Sequence, residues 1–134
     1  MNPRLPILSL LLLLLSACTT PDYGTKLTFN AGELYFTEAV TESEAERLGN
    51  FLVEDGFFGG QTISVQLDRE EETYLFRMAS REGAETDSTL TKQASLYTLQ
   101  LSRKVFDDAP VDFHFCDTRM ETKAVIPFLL TATD

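Results

Sequence analysis

The residues most suited to chemistry fall close together near the end of the chain, in Val111-Asp112-Phe113-His114-Phe115-Cys116. In an extended strand, alternate side chains share a face. A carboxylate (Asp112), an imidazole (His114) and a thiol (Cys116) therefore stand on one side. The apolar Val111, Phe113 and Phe115 stand on the other. Carboxylate, imidazole and thiol are metal-ligand types, and an imidazole beside a thiol is also the pattern of an activated nucleophile. Against this, alternate residues on a strand lie about 6.5–7 Å apart. The chain has one histidine and two cysteines, so no second imidazole helps close a metal site. The sequence therefore predicts neither a metal, nor a cofactor, nor a catalytic residue. Asp112, His114 and Cys116, joined by Arg77 from another strand, form a speculative polar sheet face shared with Ser64 and Gln66.

The elements that position these residues follow from periodicity. Leu27 and Phe29 alternate before Asn30-Ala31-Gly32, and Leu34 and Phe36 alternate after it. This is a hairpin with a three-residue turn ending on a glycine. Thr41 with Glu44 three residues on is a capping box, and Ala45, Leu48, Phe51 and Leu52 make one helical face up to the stop at Gly56. Ile63, Val65 and Leu67 alternate, as do Tyr74, Phe76 and Met78, around the acidic stretch Asp68–Glu72. That spacing predicts a second hairpin with a solvated acidic tip. In Phe57-Phe58-Gly59-Gly60 one phenylalanine is expected to cap the core, the alternative being an exposed Phe58 that contacts a partner. A second helix is expected from Ser88 to Val105, with the stripe Leu90, Ala94, Tyr97, Leu101 and Val105. The strand 111–116 and a last strand ending near Pro127 complete the order.

That order contains β-α-β-β-α-β. The expected class is α+β: an antiparallel sheet with two helices on one face, a ferredoxin-like (split β-α-β) sandwich with extra edge strands. Residues 25–134 form one domain, preceded by a polar tether over 18–24.

The N-terminal segment is of another kind. Leu5 to Leu15 is almost wholly aliphatic, with Arg4 the only charge before it. About 11 apolar residues do not span a bilayer, which needs roughly 20. A positive start, a short apolar run and small residues describe a signal peptide over 1–17. Leu15-Ser16-Ala17-Cys18 resembles the lipobox of bacterial lipoproteins: an aliphatic residue, two small ones, then cysteine. That resemblance implies cleavage between Ala17 and Cys18, with lipid on the Cys18 thiol. Thr19, not Asp, follows the cysteine, which by the same resemblance favours the outer membrane facing the periplasm in a diderm cell. The alternatives are an ordinary cleaved signal with Cys18 free, or a Cys18–Cys116 disulfide.

A second resemblance covers most of the remaining chain. The stretches GELYFTEAVTESEAERLGNFLVEDGFF, SVQL, YLFRM and APVDFHFCD are similar to a domain of uncharacterised exported bacterial proteins. It implies export and no particular activity.

The 134 residues carry a formal charge of −10, and without residues 1–17 the charge is −11. Such a domain repels nucleic acid and anionic headgroups. The sequence thus predicts a lipid-anchored cell-envelope protein that is not an enzyme. It would bind the membrane through its anchor and engage an envelope protein partner through the open sheet face or a sheet edge. The alternative is a metal-handling or thiol-dependent enzyme using Asp112, His114 and Cys116.

Overall fold

The structure is a computed structural model that describes residues 22–129. The expected signal peptide, Cys18, most of the tether and the last five residues lie outside the described residues. The elements run β1 (Thr25–Phe29), β2 (Gly32–Phe36), α1 (Glu42–Glu54), β3 (Ser64–Glu70), β4 (Thr73–Ala79), a 3-10 turn (Ala84–Thr86), α2 (Ser88–Lys104), β5 (Val111–Cys116) and β6 (Thr122–Ile126). The class is α+β, with two helices over a six-stranded sheet.

The sheet corrects the expected topology. Its strands stand in sequential order, β1 to β6. β2 pairs with β3 in parallel and β4 with β5 in parallel, while the three hairpin pairs are antiparallel. A split β-α-β unit keeps another strand between its two parallel strands. Here each helix returns the chain to the adjacent strand, so the sheet is mixed and the units are not split. Backbone bonds seal both parallel joins: Glu33 N–H donates to Ile63 O at 2.8 Å, and Tyr74 N–H to Pro110 O at 2.9 Å. Thr37 Oγ1 adds a 2.6 Å bond to Asp68 Oδ1 across β2 and β3.

Both helices cover one face. Leu34, Val65, Leu67, Phe76 and Phe113 from the strands join Ala45, Leu48, Leu52, Ala94 and Leu101 from the helices in one buried cluster. Phe51 of α1 meets Tyr97 of α2 at a ring separation of 6.3 Å. Strands β2 and β3 point one way and β4 and β5 the other, yet both crossovers step in the same direction along the sheet. With both helices on one face, the two crossovers have opposite hands. One of them is therefore left-handed, where such connections are right-handed in roughly 98% of cases.

Local chemistry explains the elements. Glu44 N–H donates to Thr41 Oγ1 at 3.1 Å, and Thr41 N–H donates to Glu44 Oε1 at 2.8 Å, closing the capping box. Helix α1 ends at Asp55, and Gly56 at φ +85° turns the chain out. Asp87 Oδ1 caps α2 by accepting from Thr89 N–H and Leu90 N–H. Arg103 and Lys104 sit in its last turn, against the negative end of the dipole.

The first hairpin differs from its expected form. Phe29 pairs with Gly32, so the turn holds two residues, Asn30 and Ala31, both at positive φ (49° and 69°). This is the sign pattern of a type I′ turn, in which alanine is strained by about 1–2 kcal/mol. The glycine serves elsewhere. A Cβ on Gly32 would sit 2.4 Å from Phe58 Cδ1. Gly32 is the gap into which the fully buried Phe58 ring fits, which answers which phenylalanine caps the core.

Candidate functional site

Arg77, Asp112, His114 and Cys116 lie on the neighbouring strands β4 and β5, and each is engaged with nearby groups. Register places Arg77 beside His114 and Gln66, and Leu75 beside Asp112. Asp112 Oδ1 accepts from Phe128 N–H at 2.9 Å. His114 Nδ1 lies 2.9 Å from Thr122 Oγ1. The Cys116 thiol is 0% exposed and donates weakly to the His114 carbonyl at 3.7 Å. Arg77 donates to the Met120 carbonyl, and its Nε is buried without a partner. Among the described residues no group of three His, Cys, Asp or Glu side chains is arranged to hold a metal ion. Glu70 pairs with Thr73 inside the hairpin, so only Glu71 and Glu72 form the acidic tip.

This face is also less open than the sequence suggests. Tyr23 crosses it: its carbonyl accepts from Gln66 Nε2 at 2.9 Å, and its ring meets Tyr35 edge-on at 5.5 Å. Leu75 and Met120 are buried on it as well. Strands buried on both sides sit in the middle of a sheet, which fits the central place of β3 and β4.

Burial, and secondarily the Arg77 guanidinium, hold the His114 imidazole below its ordinary value of 6.5, against the pull of Asp112, Glu70 and Asp68. A base whose folded pKa is depressed binds fewer protons folded than unfolded in the window just below 6.5. Stability therefore rises with pH through that window and falls on acidification from 6.5. The lowered carboxylates act in a more acidic window. Asp87, held down by the N–H groups of Leu90 and Thr89, and Asp117, held down by that of Glu121, lose their stabilisation below about pH 4. The chain has one histidine, so a proton NMR titration should show a single imidazole with a midpoint below 6.5. The His114→Asn variant should lose the slope of urea stability just below pH 6.5 and keep the acid limb. A midpoint at or above 6.5 would contradict this environment.

A feature that sequence reading missed lies on the opposite side, in the helix layer. A cleft of about 430 Å3 opens between α2 and the ends of β4 and β5, bordered by the segment after α1. Phe57, Ile63, Met78, Leu90, Tyr97 and Phe115 give it an almost wholly carbon lining. Its polar members are Ser80, Arg81, Gln93 and the Tyr97 ring, whose hydroxyl lies 3.1 Å from Asp55 Oδ2. Burial, then the Asp55 carboxylate, drive the Tyr97 pKa far above its usual range, so it stays a neutral hydrogen-bonding phenol. Ser80 Oγ is engaged with the Cys116 carbonyl at 3.2 Å. The periodic stripe Leu90, Ala94, Tyr97 reads as core in the sequence. It is core below Tyr97, where Leu101 and Val105 are buried, and cleft wall above it. The signal for the cavity is side-chain size. Ala79, Ser80, Ala84 and Ala94 meet where the helix passes the sheet, and they do not fill the space between them. Pockets of roughly 300–1,000 Å3, mostly apolar with a few polar groups, are the usual form of small-molecule sites.

Among the described residues no helix is long and apolar enough to cross a membrane. No curated protein matches the chain, and no solved structure matches it either. A family model matches residues 26–127, from β1 to just past β6, and is described as a family N-terminal domain. By that match, which takes in every strand, both helices and the cleft, the chain belongs to the AF_1994_N family.

Proposed function

We propose that the chain is a lipid-anchored cell-envelope protein whose acidic domain acts by binding, with the helix-layer cleft as the place where it engages its ligand. The observation that carries the binding reading is the cleft itself: concave, about 430 Å3, apolar, with polar groups confined to a few positions. Its lining includes no carboxylate, imidazole or thiol. The anchor rests on Leu15-Ser16-Ala17-Cys18 after its apolar run. Two or three acyl chains hold a protein at a membrane where one is marginal. With Thr19 next, the outer membrane facing the periplasm is the favoured site in a diderm cell.

The reading that makes Asp112, His114 and Cys116 a metal or thiol centre has less support. Asp112 is taken up by Phe128 N–H, His114 and Cys116 both approach Thr122 Oγ1, at 2.9 Å and 4.0 Å, and the thiol is enclosed.

Cys18→Ser tests the anchor. Cells fed labelled palmitate should incorporate label into the wild-type chain. The variant should accumulate as an unlabelled precursor that keeps residues 1–17. Normal maturation of the variant would remove the lipoprotein reading.

A further inference from the structure

We propose that the cleft takes the hydrocarbon tail of a free fatty acid, tail inward and carboxylate at the rim beside Arg81 and Gln93. This rests on the reading of the domain as a binder and names its ligand class.

The lining decides the class by elimination. A sugar, nucleotide or peptide backbone would bring polar groups into a cavity whose walls are Phe57, Ile63, Met78, Leu90, Tyr97 and Phe115. Ser80 Oγ and the Tyr97 hydroxyl already have partners, at 3.2 Å and 3.1 Å. Polar groups desolvated without partners cost roughly 1–3 kcal/mol each on the protein scale. A hydrocarbon chain brings none and gains from every methylene it buries, about 0.8 kcal/mol each. Met78 is unbranched and adaptable, and suits a flexible tail better than a rigid ring.

The rim decides the head. Arg81 is 64% exposed, and one of its guanidinium nitrogens meets Asp87 Oδ2 at 3.1 Å. A guanidinium has five N–H donors, so donors remain for a carboxylate. Gln93 is exposed and makes no side-chain hydrogen bond among the described residues. Lys123 adds a second cation: its Nζ lies 3.3 Å from the Arg81 carbonyl and 3.2 Å from Glu85. Arg81 and Lys123 pair with Asp87 and Glu85, so cations stand among the anions at this end of the cleft on a chain of net charge −10. An anionic head is repelled less there than over the chain as a whole.

The chain's own anchor is a poor occupant. Tyr23, five residues after Cys18, lies on the polar face of the sheet. The cleft lies on the helix face.

The full chain, expressed in a bacterial envelope, tests this with a palmitate analogue carrying a diazirine and an alkyne. After illumination, peptides bearing the free probe should map to Phe57, Met78 and Leu90–Tyr97. Ala94→Phe fills the cleft from within and Leu90→Trp from its mouth. Each should reduce that crosslinking at least about tenfold, a loss of about 1.4 kcal/mol of binding. Metabolic labelling of Cys18 serves as an internal control and reports separately on the anchor. Protease resistance shows whether each variant is folded, and if neither folds the wild-type map alone decides. Crosslinks scattered over the surface, no crosslinks, or crosslinks only from the acyl chain on Cys18 would each overturn the proposal. So would full crosslinking in a folded Ala94→Phe variant.

Discussion

Phe58→Ala should lower the unfolding free energy by about 3–5 kcal/mol, the range for deleting a buried aromatic side chain. Against a total of roughly 5–15 kcal/mol for a domain, that is a large share. The ring is fully buried, touches the place where Gly32 lacks a Cβ, and meets the Phe57 ring at 5.7 Å. Gly32→Ala attacks the same contact from the other side. Its Cβ would fall 2.4 Å from Cδ1 and 2.5 Å from Cγ of Phe58, too close for any real contact. The ring is enclosed, so it cannot swing away, and overpacking of this kind costs about 1–3 kcal/mol or more. Gain of β propensity in the strand does not offset that. The two substitutions share one volume, so they should not add. Gly32→Ala with Phe58→Ala should cost clearly less than the sum of the two singles. Urea unfolding followed by far-UV circular dichroism measures all three. Simple additivity would show that the ring and the glycine do not compete for space. Loss of Phe58 should also loosen Phe57, which walls the cleft, and so weaken ligand capture before the domain unfolds.

The second large effect concerns Cys116. Its thiol is 0% exposed, lies against the His114 carbonyl and Thr122 Oγ1, and sits where β5 and β6 shift register. Reagent reaches it only when that region opens. Because core openings approach the global unfolding free energy, iodoacetamide should label native Cys116 more than about a thousandfold slower than the same chain in urea. Mass spectrometry of the peptide carrying residue 116 reads the rate directly. Fast labelling of the folded protein would reopen the thiol chemistry that the alternation of Asp112, His114 and Cys116 suggests.

Much of the architecture is written locally in the chain. The Thr41–Glu44 capping box, the stop at Gly56 and the alternation of Val65, Leu67, Tyr74 and Phe76 specify their elements without long-range information. Strand order is not written that way. Alternation fixes which face of a strand is buried and is silent on which strand lies beside it. Both a split and an unsplit sheet would bury Leu34, Val65 and Phe113 equally well. The joins that decide between them, Thr37 to Asp68 and Glu33 to Ser64, are single polar pairs far apart in sequence. The functional residues divide in the same way. The expectation that Arg77, Asp112, His114 and Cys116 share one face follows from period two, and the register sets Arg77 beside His114. Their hydrogen-bond partners come largely from residues 120, 122 and 128, with Thr122 shared by His114 and Cys116, beyond the reach of periodicity. The cleft escapes for a further reason. It is a shortage of volume where Ala79, Ala84 and Ala94 converge, and a shortage appears only after packing.

The opposite hands of the two crossovers bear on the history of the fold. Read as a string, the chain is β-β-α twice, followed by a last hairpin. That string invites an account by tandem duplication. Duplicated units keep their hand, because each copy winds as its parent did. The unit ending in α1 and the unit ending in α2 wind oppositely, so no rotation superposes them. Their likeness is one of element order alone. The repeat in the string is therefore not a repeat in space.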